Sequence, residues 1–385
     1  MSRFGKTILS VFLLPLLLTG CWDIKDLQEI SYLTAMGFDI EGEEFVIYGQ
    51  FLDFGSVAKT ESSKSGTLPV WVGKGRGKTL VNAIDDLYRS SPLRIFYGHV
   101  NAIVLGEKLL KNKSAMNQAE QFHNRFYELR YTPWIFGTSE AMDELFSVTS
   151  IFNFSPGVSI LHQPQETYKQ RSLIQPISVR EFSLEMNEPS HTVMLPSIAI
   201  SAENWNKGNK PHELLTINGA YAIKNDKFLG LFHAEEILGL TWVEPHARRG
   251  PLVLSSGGKY KAALSLEQPN ITIHPRVREG KAEYTIEIKL IGTQVMTMIP
   301  MSESELEREA SELVRKQIRE VYEVGIQRDA DLLQLETALY RKKNGEWKKL
   351  RSREKLKLTP KSLTEITVSV KIKHTGNLKS TESLD

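Results

Sequence analysis

The stretch Gly73-Lys74-Gly75-Arg76-Gly77-Lys78-Thr79 has residue types and a spacing that could do chemistry. A glycine-rich loop ending in Lys-Thr at the start of a helix cradles phosphate, because successive backbone N–H groups surround the anion. That geometry needs G-x-x-x-x-G-K-[ST], and counting back from Gly77 the first glycine belongs at position 72, where Val72 stands. Gly73 leaves the loop one residue short, so we read a glycine-rich turn feeding a capped helix and expect no nucleotide. The nine histidines are scattered, with no H-E-x-x-H or other close pair to put two ligands on one helix face. His99, with Asn101, lies in an apolar run and is expected as a hydrogen-bonded core histidine. There is no G-x-S-x-G elbow. Glu303, Glu305, Glu307 and Glu309 read as a solvated helix face, and Asp85-Asp86 and Asp329-x-Asp331 lack the oxygen ligands that Ca²⁺ requires at loop spacing. No catalytic, cofactor or metal site is expected.

The lone cysteine has the clearest chemistry. Residues 1–20 combine a basic start (Arg3, Lys6), an apolar run from position 8 to 18 and the small pair Thr19-Gly20, which is the architecture of an export signal. The run is too short for a transmembrane helix, which needs about 20 apolar residues. Leu18-Thr19-Gly20-Cys21 resembles the bacterial lipobox, in which an apolar and two small residues precede a cysteine that receives diacylglycerol. A thiol is required for the thioether, and small neighbours let the processing enzymes reach the backbone. Two acyl chains on one residue give the stable anchoring that one chain does not. With Cys21 alkylated, the mature chain has no thiol left for a disulfide or a nucleophile.

The elements around these residues must come from ordinary cores. The 385 residues are 41% hydrophobic and 24% charged, close to globular averages, and the length suits two or three domains. Lys+Arg exceeds Asp+Glu by 48 to 46, and without Arg3 and Lys6 the signs balance, which argues against a sequence-independent nucleic-acid binder. Leu80, Ala83, Ile84, Leu87 and Tyr88 recur at helical spacing behind the capping residue Thr79. A longer helix is expected over 304–322, with Leu306, Ala310, Leu313, Val314, Ile318 and Val321 on one stripe and Ser302-x-x-Glu305 as its capping box. Apolar and polar residues alternate over 285–290 and 366–372, as in strands with one wet face of a largely antiparallel sheet; 95–105 is apolar on both faces and reads as one central strand.

Without a regular strand-helix alternation the fold class is α+β and multidomain, each unit a mostly antiparallel or mixed sheet packed with helices. The polar stretch 56–68 reads as a loop or boundary, and 203–211 as a junction between an N-terminal region, 21–205, and a C-terminal domain, 206–385. Residues 150–190, rich in proline, are expected to form a small inserted subdomain.

Cys21-Trp22-Asp23, then Glu29-Ile30 and Thr34-Ala35-Met36-Gly37-Phe38-Asp39, resemble the opening of the Ger(x)C lipoproteins, the C subunits of spore germinant receptors. The likeness continues through Gly77-Lys78-Thr79, Arg94-Ile95-Phe96-Tyr97-Gly98-His99 and Val104-Leu105-Gly106-Glu107. It returns at Val193-Met194-Leu195-Pro196, at Gly219 through Gly230, and at Glu235-Glu236, Gly239-Leu240 and Trp347, so it spans essentially the whole mature chain. One departure stands out: the resemblance leads us to expect Asp-x-x-Gly-x-Gly, and the chain has Asp331-Leu332-Leu333-Gln334-Leu335-Glu336. The resemblance implies three α+β domains, an outer-face location on the spore inner membrane, and work with two integral membrane subunits, A and B, in nutrient-triggered germination. Two alternatives stay open on the residues alone: a solute-binding lipoprotein that captures a small nutrient, and an exported enzyme.

Overall fold

A computed structural model describes residues 30–52 and 70–374. The signal segment, Cys21 and the stretch 56–68 lie outside the described residues.

The first strands form an antiparallel ribbon. β1 (Ile30–Glu41) turns through Gly42, at φ +64°, into β2 (Glu44–Leu52), which pairs with β3 (Trp71–Gly77). The glycine-rich stretch is thus an edge strand and not a turn. Gly73, Gly75 and Gly77 fall on one face by the two-residue period of a strand, and α1 (Leu80–Ser90) lies directly on that face. A Cβ at Gly75 would stand 2.1 Å from the Ala83 carbonyl oxygen, so the glycines exist to let helix and strand backbones approach. Thr79 caps α1 as expected, accepting from the Asn82 amide.

The run expected as one strand over 95–105 is broken into β4 (Arg94–Phe96) and β5 (Ala102–Gly106). The Val100 amide donates to the Tyr97 carbonyl and closes a turn at Gly98-His99, so β4 pairs with the start of β1 and β5 pairs further along it, both parallel. β5 keeps the two-faced apolar character: Ile103 and Leu105 enter one core, and Ala102 and Val104 enter another across the sheet. Helices α2 (Glu107–Lys111) and α3 (Lys113–Arg125) return the chain to β6 (Trp134–Thr138), parallel to β5.

After α4 (Met142–Ser147) the chain is irregular, apart from α5 (Pro164–Gln170), until β7 (Ile177–Ser178) and α6 (Val179–Asn187). The inserted subdomain expected at 150–190 has no core of its own. Leu161, Ile174 and Phe182 are each buried in a different one of the three hydrophobic clusters formed by the described residues.

β8 (Thr192–Ser201) leads through the short hairpin of β9 (Asn206–Lys207) and β10 (Lys210–Pro211) into β11 (Leu214–Lys224), followed by β12 (Lys227–His233). β8 and β11 pair antiparallel from Thr192 opposite Lys224 to Ser201 opposite Leu214. The hydrogen bonds of one mixed ten-stranded sheet, in the order β12-β11-β8-β6-β5-β1-β2-β3 with β4 and β7 attached, therefore run across the boundary expected between residues 205 and 206. β11 joins two cores: Tyr221 and Ile223 face the first sheet's helices, and Ala220 and Ala222 face the C-terminal core.

A second, four-stranded sheet holds β13 (Gly250–Ser256), β14 (Lys259–Arg278), β15 (Lys281–Thr297) and β16 (Leu363–His374), the first three antiparallel and β16 parallel to β15. A parallel pair needs a crossover. Here it is α7 (Glu303–Gln327), α8 (Leu335–Lys342) and α9 (Asn344–Arg351). The Ser302/Glu305 capping box is present, and Leu306, Ala310, Val314, Ile318 and Val321 are buried as the stripe requires. α7 also reaches the open edge of β16. The amides of Val370 and Ile372 donate to Ser311 Oγ and Glu307 Oε1, and Arg315 and Arg319 donate to the carbonyls of Ile366 and Leu363. Mixed sheets with helices packed on them make the fold α+β.

Candidate functional site

Two acids, Asp331 and Glu336, are buried at the turn between α7 and α8, where the sequence departs from the expected glycines. The turn is tight: Asp329 and Gln334 adopt φ +57° and +56°, a region that suits glycine. Gln334 is the residue before α8, yet its side chain makes no capping bond. Asp331, 1% exposed, does the capping from within: its Oδ2 accepts from the Glu336 amide at 2.7 Å. That releases the Gln334 carboxamide to reach the other sheet. Its Nε2 donates to the Thr192 carbonyl (2.6 Å), and its Oε1 accepts from the Thr192 amide (3.1 Å).

Glu336, in the second expected glycine position, is also buried and receives Lys224 Nζ at 2.8 Å from the end of β11. Thr337 Oγ1 donates to the Ser190 carbonyl, Trp347 Nε1 to Ser190 Oγ, and the Arg341 guanidinium forks onto the Glu188 carboxylate at 2.7 and 2.6 Å. Five side chains of the C-terminal helical segment thus fasten it to the connection between α6 and β8, to β8 itself and to β11. Burial raises the carboxyl pKa of both Asp331 and Glu336 above the ordinary range, and the Lys224 ammonium opposes the shift without cancelling it. Asp331 Oδ1 has no hydrogen-bond partner among the described residues.

A cavity of about 450 Å³ opens beside this joint, with Lys224, Asp331 and Glu336 on its wall and the ion pair Asp329–Lys357 (2.8 Å) near its rim. On the other side of the loop a second cavity, of about 430 Å³, is lined by Leu332, Leu333, Gln334, Met194 and Ile271. The two acids are engaged as a helix cap and an ion pair. Among the described residues no group of three or more His, Cys, Asp or Glu could hold a metal ion. The arrangement is suited to coupling the two sheets mechanically.

The lipobox residues Leu18, Thr19, Gly20 and the lipidation candidate Cys21 lie outside the described residues. His99 is not a core histidine: it is exposed in the turn after β4, edge-on to the rings of Tyr32 and Phe96 at 5.3 and 5.6 Å, because Gly98 and the Tyr97–Val100 bond take the chain out of the strand. Among the described residues His123 and His162 are buried, and the more enclosed is His162. Its Nε2 meets Gln50 Oε1 at 2.8 Å, its Nδ1 meets Asn101 Oδ1, and burial pushes its pKa down to about 4. Residues 50, 101 and 162 share no local pattern, so no spacing rule could have joined them. Of the acids read as a wet helix face, Glu307 binds the β16 edge and Glu309 pairs with Lys261 at 2.9 Å. The site at 331–336 had one signal in the sequence, the loss of both expected glycines.

Two family models match the chain. One is described as the spore germination protein N-terminal domain, over residues 23–200, and the other as spore germination B3/GerAC like, C-terminal, over residues 218–376. Spore germination protein B3 of Bacillus subtilis (strain 168) is 23% identical over 288 residues, 73% of this chain and 72% of its own length. Spore germination protein KC of the same organism is 20% identical over 390 residues, covering 96% and 94%. The crystal structure of the GerBC protein superposes with a TM-score of 0.55 at 16% identity, covering 90% of this chain and 99% of that one, a likeness of fold. The two matched regions meet within the shared sheet, where β8 and β11 pair, and the joint at 331–336 ties one to the other. With both regions present in order and the same fold, the chain belongs to the Ger(x)C family of spore germination proteins.

Proposed function

We propose that the chain is a non-catalytic, lipid-anchored subunit of a nutrient germinant receptor, held on the outer face of the spore inner membrane by diacylglycerol on Cys21. It works through contacts with the integral membrane A and B subunits. The observation that carries this reading is the position of the sole cysteine: it follows an apolar, small-ended leader and stands two residues ahead of the point where the family match begins. Anchoring confines the chain beside its membrane partners and raises their effective concentration, so weak interfaces suffice. Replacing Cys21 with Ala leaves a foldable chain that no longer sediments with membranes, and mass spectrometry of the natural protein reports diacylglycerol on residue 21. An intact leader or an unmodified thiol sinks the anchor.

Direct capture of a small nutrient is a second reading, favoured by the cavity of about 450 Å³ with Asp331 on its wall. Much of its charge is satisfied internally, Lys224 by Glu336 and Lys357 by Asp329. Calorimetric titration with amino acids and sugars separates the two readings: measurable heat favours capture, and none favours the subunit.

A further inference from the structure

The large sheet has one end rich in exposed aromatic side chains. Tyr32 of β1 sits opposite Leu52 of β2, and Phe51 of β2 opposite Trp71 of β3, so Trp71 stands at the end where β1 begins. Ile30 pairs with Arg94 and Tyr32 with Phe96, which puts Leu93 and Phe96 at the same end. β5 and β6 run parallel to β1, so the loop that precedes β6, with Tyr127, opens there too. The segment 147–161 leaves and returns beside it, since the Phe146 carbonyl accepts from Gln50 Nε2 and His162 reaches Gln50 and Asn101. That segment presents Phe152 and Phe154, their rings 5.9 Å apart, with Phe152 held at φ +57°.

Trp71 is 68% exposed, Phe152 76% and Tyr127 90%, while Leu93, Phe96 and Phe154 are exposed as well. Isolated exposed apolar residues need no explanation, but six projecting from neighbouring strand ends and loops at one end of a sheet do. Arg94, Arg125 and Arg130 are exposed at the same end and make no ion pair among the described residues; Glu128 is an acid in the same loop. Trp and Tyr with interspersed arginine is the chemistry of a surface that sits at the headgroup level of a bilayer bearing anionic lipid.

Chain length points to the same occupant. Ile30 follows Cys21 by nine residues, which span at most about 30 Å. β1, at 12 residues, is about 40 Å long, so a tether at Cys21 brings the bilayer first to the end at which β1 begins. We propose that this aromatic and arginine-bearing end of the large sheet rests on the lipid headgroup layer, so that the domain stands on the membrane with β1 rising from it. The proposal builds on the anchor at Cys21.

The test couples the chain from Cys21 to Asp385, through its sole thiol, to maleimide-headgroup lipid in phosphatidylcholine/phosphatidylglycerol vesicles, with acyl chains either plain or brominated. Trp22→Phe removes the tryptophan beside the tether. Tryptophan emission is expected to drop on brominated vesicles, and the drop to vanish in Trp71→Phe, whose exposed ring is dispensable for folding. Phe152→Ser with Phe154→Ser weakens the quenching. Equal emission on brominated and plain vesicles overturns the proposal and gives this end to a protein partner instead. Because the coupling is chemical, that outcome is distinct from a failure of natural acylation, which mass spectrometry reads separately.

Discussion

The side chain of Gln334 exchanges two hydrogen bonds with the backbone of Thr192, at 2.6 and 3.1 Å, and so bonds to it as one more residue of a strand would. Its own backbone is left-handed, at φ +56°, a conformation that costs a non-glycine residue roughly 1–2 kcal/mol. Two hydrogen bonds at about 1 kcal/mol each offset that cost. Gln334→Ala should keep the strain and lose the bonds, destabilising by about 2 kcal/mol, and Gln334→Gly should lose both and fall in between. Urea denaturation at neutral pH measures the order; a glycine variant more stable than the parent shows that strain outweighs the joint.

Glu336 is buried and Lys224 partly so, and removing the lysine leaves a buried carboxyl without its cation. Lys224→Met is expected to cost roughly 3 kcal/mol, and Lys224→Met with Glu336→Met to recover most of it. The double-mutant cycle reads the coupling directly. Additive losses would mean that the two charges act independently.

Acid dependence carries opposite signs at two places. Burial holds Asp331 and Glu336 above their ordinary values of 3.8 and 4.5, so the folded chain binds their protons more tightly than the unfolded chain does. Their contribution is greatest at low pH and is lost as pH rises from that range towards neutrality. His162 is neutral in the fold with its pKa pushed down to about 4, so its contribution is present above its ordinary 6.5 and is lost as pH falls through about 4. Asp331→Asn with Glu336→Gln should flatten the alkaline side of the stability profile, and His162→Gln the acid side. Chemical denaturation from pH 4 to 8 checks both slopes, and an unchanged profile in either variant removes that group from the account.

Gly75→Ala puts a methyl group against the Ala83 carbonyl at a distance that no side chain can relieve. The expected loss is about 1–3 kcal/mol, with α1 pushed off the sheet and its amides exchanging faster with solvent. A neutral substitution would mean that β3 shifts freely and that the glycines serve another purpose.

Local rules recovered the elements that depend on local signals. Thr79 caps α1, Ser302 and Glu305 form their box, and the stripe from Leu306 to Val321 is buried, because each depends on residues within a turn or two. The strand over 95–105 was overextended because apolar content on two faces does not reveal a turn in which Val100 bonds back to Tyr97. The glycine stripe of β3 was read as a turn for a related reason: glycine marks either a turn or a close backbone approach, and only α1 lying on it decides which. The joint is assembled from 188–192, 224 and 328–347, which are far apart in the chain, and no periodicity joins them. The absence of two expected glycines marked the place but gave no hint of partners on the other sheet.

Because α7 side chains occupy the outer backbone groups of β16, that strand has little left to offer a second chain as a template. An open strand edge is a ready template for pairing between copies of a chain. Ser311 and Glu307 thus shield this edge from strand-to-strand pairing with a second chain, a service separate from whatever they add to the stability of their own.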